Sequence, residues 1–207
     1  MICAIVLAAG CSRRMGVQKL LLPFGDKTVI THIVNQLLLS NVDEVHVVVG
    51  HQAKRISREL SPLPVSIVYN SNYKSGMLSS VRCGLRNLPQ QCKAVLVTLG
   101  DQPSITSKLI DQMLQAFVTT EKSILVPLYN NKRGHPMLFS ESYRNEILTQ
   151  YDNVGLRGLL LSHYDDVFEL PVSTSAVLSD MDCPEDYRRE IELIKKNAGR
   201  KSGSKTK

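Results

Sequence analysis

A strand that ends in small residues followed by cations can bring backbone N–H groups and positive charge to one phosphate. The segment after the apolar run Ile2–Ala8 has that composition. Ala9, Gly10, Cys11 and Ser12 lead into Arg13, Arg14 and Lys19, with Gly16 between. It is not a Walker loop, because Met15 stands where the second glycine belongs and no Gly-Lys-Ser/Thr follows. It also lacks the Gly-x-Gly-x-x-Gly spacing of a dinucleotide fingerprint. Taken alone, a flexible glycine loop with solvated arginines accounts for it equally well. A second apolar run, Ala94–Leu99, ends in Gly100 and Asp101. A lone aspartate at a strand end more often caps a turn or helix. The Gly-Asp-Gln-Pro setting favours a hard oxygen ligand for Mg2+, an ion that takes one or two carboxylates together with phosphates and water. Asp182, with Asp180 beside it, offers another carboxylate from the far end of the chain.

The elements that must position these residues alternate. Val65–Tyr69, Glu44–Val49 and Ser123–Pro127 are further short apolar runs of the kind buried on both faces of a parallel sheet. Between them Val29, Ile30, Ile33, Val34, Leu37 and Leu38 form a helical stripe, and Ile105, Leu109, Ile110, Met113, Leu114 and Phe117 form another. Strand–helix alternation with right-handed crossovers predicts an α/β fold, a three-layer α/β/α sandwich around a mostly parallel sheet. Residues 137–139 and 167–170 read as later strands. Residues 141–148, 155–163 and 184–195 read as helices, the last with Pro184 in its first turn and Glu185 and Asp186 at its positive end. In an open α/β sheet the ligand site lies beyond the carboxyl ends of the strands, which singles out the loops after Ala8 and Leu99.

The 207 residues suit one domain, spanning 1–194, with enough apolar content to form a core without staples. The first apolar run is too short to span a bilayer and no basic leader precedes it, so the expectation is a soluble, cytoplasmic protein with no membrane partner. Five cysteines without CxxC spacing argue against a disulfide framework or a zinc site. Six of the 25 basic residues fall in residues 195–207, which leaves the body balanced against its 19 acidic residues. The net charge of +6 therefore belongs to a basic tail with too little apolar content to fold, and no nucleic-acid partner is expected.

The residues around the first loop, LAAGCSRRMGVQKLLLPFGDKTVI, resemble the signature of the MobA-like nucleotidyltransferase family, closest to the branch that handles the molybdenum cofactor with cytidine nucleotides. The resemblance continues in family order through NYKSGMLSSVRCGL, LGDQP, GHPMLF, DNVGLRGLL and DMDCPEDY, and covers nearly everything except the tail. It implies a Rossmann-like fold of the nucleotide-diphospho-sugar transferase type. It also implies transfer of a nucleoside monophosphate, most simply CMP from CTP, to the terminal phosphate of molybdenum-bearing molybdopterin with release of pyrophosphate. The product would pass to a molybdenum hydroxylase. By resemblance Asp101 and Asp182 hold Mg2+, and Arg14 and Lys19 grip the triphosphate and act catalytically beside Asp101. The backbone of Leu7, Ala8, Ala9 and Gly10, with Ser12, Ser79 and Gly100, surrounds the nucleotide, while His135 and Arg157 border the acceptor.

Several readings stay open on the residues themselves. Ser79 and Ser80 equally suit plain helix N-terminal polarity. His135 shows no partner at a catalytic or metal-ligand spacing, and Arg157 equally suits an exposed helix face. Cys183 stands where the family usually has threonine, which removes a capping hydroxyl and predicts a less firmly started closing helix. Ala8-Ala9 and Gln102 suit the cytidylyl branch; the guanylyl branch more typically reads Leu-Ala-Gly-Gly. A guanylyl or sugar-phosphate transferase would carry the same motifs. A non-catalytic carrier that hands cofactor to a hydroxylase is the alternative outside enzymes.

Overall fold

In the computed structural model the backbone is described for residues 1–202 and the side chains for residues 1–196. The strands are β1 Ile2–Ala8, β2 Pro23–Phe24, β3 Lys27–Thr28, β4 Glu44–Val49, β5 Ser66–Tyr69, β6 Ala94–Leu99, β7 Ile124–Tyr129, β8 Lys132–Arg133, β9 Met137–Ser140 and β10 Val167–Pro171. The α-helices are α1 Val29–Leu38, α2 Ala53–Leu60, α3 Met77–Asn87, α4 Ser107–Thr119, α5 Arg144–Thr149, α6 Arg157–Ser162 and α7 Pro184–Ser202. The main sheet runs β10-β7-β9-β6-β1-β4-β5, with β8 on the flank of β7 and a separate β2–β3 hairpin. β1 pairs in parallel with both β4 and β6, whereas β9 runs antiparallel between β6 and β7.

The period of two along β1 divides the core. Ala4, Val6 and Ala8 face one layer with α1, α2 and α4, while Cys3 and Ile5 face the other with α3, α5 and α6. Most of the two apolar stripes is buried as read: α1 buries Val29, Ile30, Ile33, Val34 and Leu37, and α4 buries Leu109, Ile110, Met113 and Leu114. Ile105 is buried just ahead of α4, and Leu38 and Phe117 are only partly buried. Both begin on a threonine, Thr28 and Thr106, whose side chain accepts from the amide three residues on. Gly84 in α3 lets that helix lie against β1, since a Cβ there would meet Ile5 Cγ2 at 2.8 Å.

The closing segment differs from the sequence reading in two respects. Helix α7 runs to Ser202 rather than stopping at residue 195, so the expected unfolded tail is helical over its first turns. Once Tyr187, Ile191 and Ile194 anchor the helix on the core, each added residue needs only one hydrogen bond to propagate it. Residues 203–207 lie outside the described residues. Nor is the start of α7 loose. Asp186 reaches back to accept from the amides of Asp182 (3.0 Å) and Cys183 (2.9 Å), and its carboxylate also takes the Cys183 thiol. The thiol bond, with the two amides, holds Asp186 down at about 2. A capping carboxylate thus replaces the missing hydroxyl.

At Gly134, before β9, the segment leading to α7 runs close by: a Cβ there would meet the Val177 carbonyl oxygen at 2.3 Å. Gly134→Ala is expected to destabilise the chain by about 3 kcal/mol in a urea titration, because backbone cannot yield as a side chain does. A change within 0.5 kcal/mol, the size of a neutral surface substitution, would show that this approach is slack.

Candidate functional site

The site begins where β1 ends. Gly100 N donates to Leu7 O at 3.0 Å, and a Cβ on Gly100 would sit 2.8 Å from that oxygen. Only glycine lets the chain after β6 run this close to β1, and the next residue, Asp101, therefore emerges beside the first loop. That loop is held from within. Ser12 adopts a left-handed conformation (φ 49°), donates its hydroxyl to Gln18 Oε1 at 2.8 Å and accepts from Lys19 N at 3.3 Å. Gln18 is buried, and its amide donates to Gly10 O at 3.3 Å. The Ser12 hydroxyl is thus committed to the loop's shape.

The third component comes from the stretch before α7. Met181 is fully buried and donates its amide to Asp101 O at 3.0 Å, which fixes Asp180 and Asp182 beside Asp101. Lys19 Nζ lies 2.5 Å from Asp101 Oδ2 and 3.0 Å from Asp182 Oδ1, and Arg14 reaches Asp182 Oδ2 at 2.8 Å. Burial works against the Lys19 charge, but the Asp101 and Asp182 carboxylates outweigh it and hold its pKa above the ordinary lysine value. Burial, then the neighbouring Asp101 charge, raises Asp180. Burial lowers His135 and favours its neutral form, although Asp180 and Asp101 pull the other way.

These residues close one end of a cleft of about 670 Å3. Leu7, Ala9, Gly10, Ser12, Arg14 and Lys19 line one side, Tyr73, Lys74, Met77 and Ser80 the other, with Asp101, Asp180 and Asp182 at the end. The residues present fit a hard divalent cation: the Lys19 ammonium already occupies a point within 3.0 Å of one oxygen from each of two carboxylates, where such an ion would stand. A second cleft, of about 910 Å3, contains His135 and Arg157 and shares Met77 with the first.

Not every residue expected in the first cleft lines it. Ala8 is wholly buried in the core beneath the loop, and Gly100 lies behind the wall, both shaping it through backbone. Ser79 faces away, its hydroxyl engaged with Gly76 O at 2.8 Å and Asn70 Nδ2 at 3.0 Å; its neighbour Ser80 reaches the cleft instead. Gln102 is 1% exposed and holds Asp180 through a 2.8 Å bond, which makes it a support for the carboxylates, not a wall of the cleft. Tyr73 and Lys74 went unselected in the sequence. The signal that finds them is an aromatic and a cation just beyond β5, ahead of Gly76 with its φ of 97° at the start of α3.

Residues 4–167 match the MobA-like NTP transferase domain family. The chain is 27% identical over 185 residues to a molybdenum cofactor cytidylyltransferase of Escherichia coli (strain K12), covering 88% of this chain and 92% of that protein. It is 30% identical over 148 residues to a probable molybdenum cofactor guanylyltransferase of Pyrococcus horikoshii, covering 70% and 72%. Rv0371c from Mycobacterium tuberculosis H37Rv superposes with a TM-score of 0.82 at 28% identity, over 92% of this chain and 97% of that one, and it has also been crystallised as a manganese complex.

Replacing Lys19 with methionine leaves two adjacent carboxylates without their shared cation. The expected cost is about 1–2 kcal/mol of stability at neutral pH, shrinking as Mg2+ or Mn2+ is added, read by chemical denaturation. Because the Lys19 pKa is raised, the stability it contributes is fully present below 10.5 and fades only above it, as pH rises through the folded value. A cost unaffected by divalent ions would refute the shared position.

Proposed function

The chain belongs to the MobA-like NTP transferase family of nucleotidyltransferases, and on that footing we propose that it transfers CMP from CTP to the terminal phosphate of molybdenum-bearing molybdopterin, in the cytoplasm, for delivery to a molybdenum hydroxylase. The observation that carries this reading is the pair Asp101 and Asp182 closing on one cation at the end of a nucleotide-sized cleft. Two clefts that meet at Met77 suit a reaction with two bulky substrates brought end to end.

The reaction needs no covalent intermediate. The acceptor phosphate attacks the α-phosphorus in line and pyrophosphate departs, so the work of the protein is positioning and charge stabilisation. Asp101 and Asp182 would hold Mg2+, which would supply positive charge to offset the negative charge developing on the transferred phosphate. Lys19 and Arg14, no longer needed by the two carboxylates, then pair with the β- and γ-phosphates, and Lys74 adds charge from the opposite wall. Gln102 and the Met181 amide keep Asp180 and Asp101 aligned. In the second cleft Arg157 presents an exposed guanidinium to an anionic acceptor, and His135, favoured neutral by burial, offers a ring nitrogen without adding charge.

The Ala9 methyl lines the first cleft, which supports reading the Ala8-Ala9 pair as the base selector. One methyl shifts selectivity by only about 1–3 kcal/mol, so a preference for CTP is expected rather than complete exclusion of the others. The test is pyrophosphate release with Mg2+ and molybdenum-loaded molybdopterin, offering CTP, GTP, ATP and UTP separately. Release is expected with CTP, and Asp101→Asn should lower it by at least about 100-fold, the loss seen when one transition-state charge contact is removed. Arg14→Ala should cost less, since Arg14 is largely exposed. Release with GTP alone would keep the enzyme class and overturn the base. An Asp101→Asn chain with unchanged turnover would overturn the mechanism.

A further inference from the structure

The end of β1 opposite the nucleotide cleft carries a second group of reactive side chains. Cys3 pairs in register with Glu44 on β4, and His46 follows two residues later, so all three project from one face of the sheet. One donor atom from each lies within 4.8 Å of the others. Cys3 is fully buried and His46 is 4% exposed, whereas Glu44 opens to solvent. Glu44 Oε2 is 3.0 Å from His46 Nε2, but His46 Nδ1 is buried with no partner. Cys92, 1% exposed, enters from the turn ahead of β6. The Cys92 thiol donates to Ala94 O at 3.2 Å.

None of these groups takes part in nucleotidyl transfer. Cys3 and Ala8 are five residues apart on the same strand, about 17 Å at the strand rise of 3.3 Å per residue. An apolar core has no use for a buried imidazole with an unsatisfied nitrogen, and two thiols, an imidazole and a carboxylate are together a poor choice of filling.

We propose that Cys3, His46, Glu44 and Cys92 form a binding site for a thiophilic divalent ion of the Zn2+ type. Zn2+ takes thiolate, imidazole and carboxylate ligands at about 2.0–2.3 Å in a tetrahedron, which sets neighbouring donors about 3.5 Å apart. Cys3, Glu44 and His46 need to contract by little more than about 1 Å to meet that geometry, whereas Cys92 lies outside this close group and must turn from Ala94 O to supply the fourth ligand. Both thiols lose their protons to solvent as the ion binds. The Arg144 guanidinium, which lowers the pKa of Cys92, offsets part of the negative charge gathered there. Exposed Glu44 provides the route of entry. Hard ions such as Mg2+ are excluded by the sulfur ligands, so this site and the carboxylate pair at the other end of the sheet select different metals. The ligands sit in three separate segments, which is why no metal-binding spacing is visible along the chain. A bound ion would tie the starts of β1 and β4 to the entrance of β6.

The experiment is a Co2+ titration of the chelator-treated full chain, followed by absorption. A thiolate-to-Co2+ charge-transfer band is expected, saturating at one ion per chain and abolished by Zn2+. It should persist in Asp101→Asn, which weakens the carboxylate site, and be lost in Cys3→Ala. Should Cys3→Ala fail to fold, His46→Gln is decisive: a weakened band supports the site, and an unchanged one overturns it. Zn2+ should also raise the thermal midpoint of the wild-type and Asp101→Asn chains. No band in the wild-type chain, or a band that survives in Cys3→Ala, would overturn the proposal.

Discussion

Two carboxylates aimed at the same point repel each other unless a cation stands between them, and in this chain the cation is supplied by Lys19. The three charged groups are far apart in sequence, so their meeting depends on the order of strands in the sheet. Because β1 lies directly beside β6, the loop carrying Lys19 and the turn carrying Asp101 leave the sheet at the same edge. The segment with Asp182 has no strand to place it. It is brought in by the Met181 amide and by a core that accepts the Met181 side chain completely.

The surrounding structure keeps that meeting point from relaxing. Gly100 brings two stretches of backbone within hydrogen-bonding distance, Gln102 braces Asp180, and Ser12 with Gln18 holds the loop that presents Lys19. Every one of these contacts is short and most are buried, so the arrangement is set before any ligand arrives. Arg14 and Lys74, by contrast, are exposed. The carboxylates are thus held by the fold, whereas these two cations stand at its surface.

Much of this was legible in the sequence, and the reasons for the rest are physical. The stripes of α1 and α4 and the apolar runs of the parallel strands carry strong periodicity, and their layers follow from it. Asp101, Lys19 and Arg14 sit in segments that follow β1 and β6, so their meeting at one edge of the sheet follows from strand order. Ser79 and Ser80 were not separable, because neighbouring residues at a helix start differ by about 100° in direction and periodicity fixes neither. The burial of Ala8 follows from alternation along β1, with its inward face fixed only once β4 and β6 flank it. The extent of α7 was underestimated because composition describes a free segment, whereas this one extends a helix already anchored by Tyr187 and Ile191. The gathering of Cys3, Glu44 and His46 arises from strand register, a property no local spacing records.

The antiparallel course of β9 has a further consequence. In a wholly parallel sheet every loop at the functional edge follows a strand; here β9 presents its beginning at that edge, so His135 and Pro136 arrive there ahead of the strand. The walls of the two clefts are consequently drawn from different stretches of chain, residues 7–20, 73–80, 99–101 and 180–182 for one and 128–137 and 154–161 for most of the other, with Met77 in common. Such a division makes the protein modular. Substitutions and insertions between β7 and β9, or ahead of α6, can remodel one pocket while leaving the walls of the other intact.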